Sequence, residues 1–177
     1  IDVRLVGSEM CIRDRLIRAN TLCRGNSGAR PTIVDTLISM INHGICPVIP
    51  RIGSLGASGD LAPLSHLALG MMGEGECNIR NETGEWSSLP SIEALGKYGI
   101  TPIVPAAKEG LSLINGTSQM CAFMCEALYN LDILCFASDA SVACTVEAIR
   151  GSHKPFDPRI HNCLLYTSPS PRDGHQS

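Results

Sequence analysis

A mainly α-helical fold is what this 177-residue sequence predicts, and three observations carry the expectation. Apolar residues recur at helical spacing after Pro31, a short apolar run follows a glycine-rich stretch at Leu61, and Thr117 to Arg150 holds neither Gly nor Pro across 34 positions. Taken in order, Pro31 suits the first turn of a helix, where its missing N–H is not needed. Ile33, Val34, Leu37, Ile38 and Ile41 then follow the helical period until Gly44 provides a stop. Pro47 and Pro50 force extended chain into the glycine-rich stretch. Leu61 to Met72 reads as a short apolar helix with Pro63 tolerated in its first turn. Gly73, Gly75 and Gly84 bracket a polar excursion, Asn78 to Trp86, expected as a surface hairpin or loop anchored by Trp86. Ser91 is then expected to cap a short helix through Lys97 that ends near Gly99.

The long Gly- and Pro-free segment has apolar residues on more than one face, so a helix drawn through it must be buried on several sides. Ala122, Ala127, Ala137, Ala140, Ala143 and Ala148 permit close packing, either as one central bundle helix or as two helices with a tight break. No unbroken apolar run reaches the roughly 18 residues of a membrane span, because Glu126, Asp132, Asp139 and Glu147 interrupt it. A net charge of −3 argues against nucleic acid as a partner. Of nine cysteines, Cys23, Cys46, Cys77, Cys121, Cys125, Cys135 and Cys144 form no CxxC pair and sit mostly in apolar context. Without a secretory signal they read as reduced thiols of a cytoplasmic protein. Cys121 and Cys125, one helical turn apart, leave a thiol-metal site open, but no metal is expected.

The chemistry-bearing stretch is Gly53 to His66, GSLGASGDLAPLSH. In a tight enough bend the Gly59 nitrogen can attack the Ala57 carbonyl, and loss of two waters, one from the ring and one from the Ser58 side chain, leaves a methylidene-imidazolone. Standard side chains offer no comparable electrophile. Gly53, Gly56 and Gly59 supply the backbone freedom. Alone, such residues more often mark an ordinary turn capping a helix.

The surrounding motifs decide between these readings. GSLGASGDLAPLSH, preceded by RGNSGARPTIVDTLISMINHGICPVIP and followed by KEGLSLINGT (Lys108 to Thr117) and PFDPRIH (Pro155 to His161), resembles the aromatic amino acid lyase family of histidine, phenylalanine and tyrosine ammonia-lyases. Gly56, Ala62 and His66 place it closest to the histidine branch. The resemblance implies a fragment of a large α-helical bundle subunit of fumarase/aspartase-like architecture. It implies that Ala57, Ser58 and Gly59 cyclise autocatalytically to 4-methylidene-imidazol-5-one, with no external cofactor. It further implies elimination of ammonia from an aromatic amino acid, L-histidine to urocanate being the first expectation, in a homotetramer whose sites combine subunits. Phenylalanine or tyrosine lyases, aminomutases of the same family, and an uncyclised helical scaffold are the alternatives.

By the same resemblance Asn115 is an active-site asparagine whose amide bonds the imidazolone oxygen or the substrate amine; capping a helix is its bland alternative. Asp60 either assists cyclisation or caps the helix starting at Leu61. His66 reads as a packed histidine, and His153 and His161 as structural. Lys108 and Glu109 form part of a pocket wall or a solvated pair. The family's catalytic tyrosine lies upstream of this segment, its carboxylate-binding residues downstream, and none of Tyr98, Tyr129 or Tyr166 matches.

The two ends read differently from the middle. DNA encoding Leu5 to Asp14 (LVGSEMCIRD) gives, on its complementary strand in a shifted frame, LLYTSPSPR, the bulk of Cys163 to Arg172. Residues 1–15 and 163–177 are therefore expected to be scars of a sequencing-library adapter, flanking a partial lyase domain over 16–162.

Overall fold

A computed structural model describes residues 8–54, 59–80, 83–160 and 162. Six α-helices and three short strands appear among them: α1 (Ser8–Cys23), α2 (Pro31–Asn42), β1 (Cys46–Pro47), α3 (Leu61–Met72), β2 (Glu76–Arg80), β3 (Trp86–Pro90), α4 (Ser91–Lys97), α5 (Glu109–Ile114) and α6 (Ser118–Ala148), followed by a 3-10 turn at Lys154–Phe156. The described residues fall into two compact units, divided after Ala127.

In the first unit, α2 begins with Pro31 in its first turn and buries Ile33, Leu37 and Met40. Its chain reverses at Gly44, whose φ of 64° falls in the left-handed region that only glycine enters freely. α3 has the expected bounds, buries Leu64, Leu67 and Met71, and stops at left-handed Gly73. These side chains meet Ala19 and Leu22 of α1, Ile45 and Ile49, Cys77 and Ile79 of β2 and Leu95 of α4 in one core. The polar excursion is a hairpin: β2 pairs antiparallel with β3, Ile79 opposite Ser87 and Arg80 opposite Trp86. β1 adds a third strand through Cys46–Asn78 and Pro47–Cys77, so the extended chain imposed by the prolines also serves as a sheet edge.

Three expectations change. Ser91 is the first helical residue of α4, with Pro90 in the cap position; fully buried, its hydroxyl meets the Cys77 thiol at 3.1 Å instead of capping the helix. Of the seven cysteines expected in apolar surroundings, only Cys46 and Cys77 are buried, whereas Cys23, Cys121, Cys125, Cys135 and Cys144 are exposed. No cluster of three metal-ligating side chains occurs among the described residues. α1 was not anticipated: it runs unbroken through Arg15, the expected edge of the adapter-derived residues, and buries Cys11, Asp14 and Arg15.

α6 is one unbroken helix, not two, yet within this chain it buries only Ser118, Gln119 and Ala122. Met124, Leu128, Leu131, Leu134 and Phe136 are exposed. The expectation of burial on several sides therefore fails for this chain, because no described element covers that surface. The expectation about membranes changes too: four spaced carboxylates leave the helix long and apolar enough on average to cross a bilayer. Length and composition are weak grounds, since core helices of soluble proteins share them. In the second unit, after α6, Arg150 adopts a φ of 50° and the Gly151 N–H bonds the Val146 carbonyl at 2.7 Å, closing the helix end.

Candidate active site

Gly56, Ala57 and Ser58 lie outside the described residues, but the exit from the tripeptide is well defined. Gly59 has a φ of 80° and pairs, as an isolated parallel bridge, with Gly116 of the Asn115-Gly116-Thr117 loop. Gly59, the last residue of the tripeptide, and the loop that carries Asn115 are thus adjacent through their backbones. A Cβ on Gly59 would stand 2.7 Å from Sδ of Met120, so glycine is required by conformation and by this close approach. Gly53 differs: its backbone is not left-handed, and a Cβ would make an ordinary 3.8 Å contact with Ala62.

Asp60 is completely buried. It occupies the cap position of α3 without making a side-chain cap bond there. Its Oδ2 instead accepts the Met120 N–H at 2.9 Å, in the first turn of α6, and its Oδ1 lies 3.0 Å from the Ser54 hydroxyl. That hydroxyl also reaches the Gly59 carbonyl at 2.7 Å. Asp60 therefore caps a different helix from the one it precedes, and a carboxylate at a helix N-terminus meets both unpaired N–H groups and the positive end of the dipole. Ser54 and Asp60 together fix the carbonyl side of Gly59.

Asn115 ends α5 and does not cap α6, which starts at Ser118. Its backbone N–H closes on the Leu111 carbonyl at 2.9 Å and its carbonyl accepts from Arg18 Nη2 at 2.9 Å. Its side chain is exposed in this chain and makes no hydrogen bond among the described residues. Asn115 thus holds the C-terminal cap position of α5 through its backbone, while its side chain caps neither helix.

The other residues of this motif are structural. Glu109 is buried, not solvated: its carboxylate accepts from Arg30 Nε and Nη2, each at 2.8 Å, from the Arg30 N–H at 3.0 Å and from the Ala106 N–H at 2.6 Å. The Arg30 guanidinium, followed by the two backbone donors, brings its pKa down to about 2. Lys108 adopts a left-handed φ of 70° just before α5. His66 is half-buried in a recess with Val48, Pro50 and Leu69, in keeping with a packed histidine.

Below the site, α1 supplies charges that sequence reasoning missed. Asp14 is buried, neither carboxylate oxygen making a hydrogen bond of good geometry, and its pKa rises to about 6. Burial is the main cause; the Ser118 hydroxyl nearby opposes it, and the charge of Asp60 adds to it. Arg18, also buried, donates to the carbonyls of Ser112 and Asn115. Ser54, Met120, Gly116 and Arg18 escaped the sequence because each acts through a contact tens of residues away in the chain or through a backbone group.

Comparison with known proteins agrees with these motifs. The sequence profile described as aromatic amino acid lyase matches residues 11–169. Histidine ammonia-lyase of Geobacillus sp. (strain WCH70) is 49% identical over 146 residues, covering 82% of this chain and 28% of the relative. That of Alkaliphilus metalliredigens is 47% identical over the same length. Among solved structures, phenylalanine ammonia-lyase from the yeast Rhodosporidium toruloides superposes with a TM-score of 0.83 at 35% identity, covering 87% of this chain and 23% of that one. Histidine ammonia-lyase from Trypanosoma cruzi gives 0.79 at 36% identity, covering 90% and 31%. The chain thus spans less than a third of the length of these relatives. With its ordered motifs, its helical architecture and these matches, the chain belongs to the aromatic amino acid lyase family.

Proposed function

We propose that this segment is the electrophile-bearing part of an ammonia-lyase that acts on an aromatic amino acid, with L-histidine to urocanate and ammonia the preferred reaction. The observation that carries the reading is the backbone pairing of Gly59, the residue that ends the Ala57-Ser58-Gly59 signature, with Gly116, the neighbour of Asn115. The residues present fit a 4-methylidene-imidazol-5-one built from that tripeptide. Gly59 is held left-handed against Met120, where a Cβ would collide, and its carbonyl is fixed by Ser54. Such a group supplies a strong electrophile that draws electrons from the substrate and lets ammonia leave.

The rest of the chemistry assigned to this segment belongs to its own side chains. Asp60, anchored to the Met120 amide and Ser54, holds the exit of the tripeptide in register with α6. Asn115 presents an uncommitted amide to hydrogen-bond the ring oxygen or the substrate amine. The histidine preference is supported by the names of the relatives that match at 47–49% identity; phenylalanine ammonia-lyase and aminomutase structures at 33–35% identity make those activities the second reading. We assign residues 16–162 to the lyase, with adapter-derived ends, on the complementary coding of the two termini. The exposed apolar surface of α6 supports assembly into a larger helical oligomer, proposed as a homotetramer of a cytoplasmic enzyme with neither membrane nor nucleic acid as partner.

The test is intact mass and turnover of the full-length protein carrying this segment. The wild type is expected to lack two waters and to convert L-histidine to a conjugated acid read by ultraviolet absorbance. Ser58→Ala should retain both waters and lose activity by orders of magnitude. An unmodified wild-type mass, or near-normal turnover by Ser58→Ala, overturns the reading; preference for phenylalanine or tyrosine moves it to the second.

A further inference from the structure

We propose that Arg18 is a positioning residue for Asn115, a role that rests on the ammonia-lyase reading above. α5 is only six residues long, and its final carbonyls lack partners within the helix. The chain leaves it at Asn115 in an extended conformation, φ −95° and ψ 103°, without a left-handed glycine to fold the carbonyls back. Arg18, from α1 and almost a hundred residues earlier, fills that gap. One terminal nitrogen, Nη2, donates to both the Ser112 and the Asn115 carbonyls. The other, Nη1, lies against Gly116, where a Cβ would collide with it. The guanidinium therefore grips the asparagine loop on the Ser112 carbonyl in the last turn of α5, on the carbonyl of Asn115 itself and on the residue that pairs with Gly59.

Burial gives the contact its weight. Arg18 is 3% exposed; its Nη2 finds two carbonyl acceptors while its Nε is buried without a hydrogen-bond partner among the described residues, so those two bonds are what offset the burial of its charge. The opposite end of α5 is secured separately by Arg30 on Glu109. Arg30 fixes the start of α5; Arg18 fixes the point where the asparagine leaves it. A guanidinium can set one nitrogen between the two carbonyls and a second against Gly116, whereas an ammonium has only one nitrogen to place.

The experiment compares Arg18→Gln, Arg18→Lys, Asn115→Ala and the double variant Arg18→Gln/Asn115→Ala in the full-length protein. Arg18→Gln should still lack two waters and should lower kcat about 10²-fold with little change in KM, as expected when a catalytic group is displaced by about 1 Å. The double variant should be no slower than Asn115→Ala alone, since Arg18 acts through that side chain. Arg18→Lys should fall between wild type and Arg18→Gln, and carries the comparison if the glutamine variant does not fold. Additive losses in the double variant, or loss of the two-water deficit in Arg18→Gln, overturn the proposal. Amide exchange provides an arm independent of activity: residues 111–117 should exchange faster in Arg18→Gln while residues 104–109, held by Arg30, do not. Unchanged exchange at 111–117 overturns the proposal even in an inactive protein, whereas faster exchange in a protein that eliminates no ammonia locates the failure in the functional reading.

Discussion

Replacing Asp60 separates its structural role from a chemical one. Asp60→Ala removes the acceptor of the Met120 N–H at 2.9 Å and a neighbour of the Ser54 hydroxyl at 3.0 Å, in a fully buried position. Hydrogen bonds to charged groups contribute roughly 1.5–3 kcal/mol each, so the loss should reach about 3 kcal/mol. Asp60→Asn is a different matter. Its amide oxygen can accept from Met120 while its NH2 donates to Ser54 Oγ, leaving the single Ser54 proton for the Gly59 carbonyl at 2.7 Å. Every hydrogen bond survives, and only the favourable charge at the start of α6 is lost, about 1 kcal/mol. Urea denaturation followed by circular dichroism should place the midpoint of Asp60→Ala about 1–3 M below wild type for an m-value of about 1–3 kcal/mol/M, with Asp60→Asn much closer to wild type. Equal destabilisation by the two variants would refute this hydrogen-bond accounting. In the full-length protein the same pair tests cyclisation: a folded Asp60→Asn that keeps both waters assigns the carboxylate a direct part in ring formation, whereas a normal deficit leaves it as the anchor of Gly59.

Two carboxylates should give opposite pH dependence. Asp14, raised from 3.8 to about 6, binds its proton more tightly when folded; its contribution is fully present below about pH 3.8 and is lost as pH rises through 6. Asp14→Asn should therefore stabilise the chain by up to about 3 kcal/mol at pH 8 and change nothing below pH 3.8, in urea melts across that range. Glu109, lowered from 4.5 to about 2, contributes above pH 4.5 and loses that contribution as pH falls through 2; Glu109→Gln should flatten the acid limb of the stability profile, and an unchanged limb counts against the Arg30 clamp. Gly116→Ala should cost about 1–3 kcal/mol because its methyl meets Arg18, whereas Gly110→Ala, with open space around its Cβ and a place inside α5, should be neutral or stabilising by up to about 1 kcal/mol. Equal thermal midpoints for these two variants would contradict the packing of Arg18 on the loop.

Local periodicity and the ordered motifs were enough to establish the helical class, the bounds of α3, the starts of α2 and, to within one residue, α4, an excursion after Gly75 that could be hairpin or loop, and the family. These features depend on neighbours within a few residues, where proline, glycine and apolar spacing act directly on φ, ψ and the buried face. The tertiary structure alone decided which partners the site residues take. Asp60, open between assisting cyclisation and capping its own helix, accepts from the first turn of α6; Glu109, open between a pocket wall and a solvated pair, is buried under Arg30; Arg18 carried no signal, yet it holds the asparagine loop. The same limit applies to α6, whose apolar faces were legible as a demand for burial although no described element covers them. A residue's type states what its atoms require, but a buried carboxylate or guanidinium is satisfied by whichever backbone group the fold brings within 3 Å, and that choice is made by packing between segments distant in the chain.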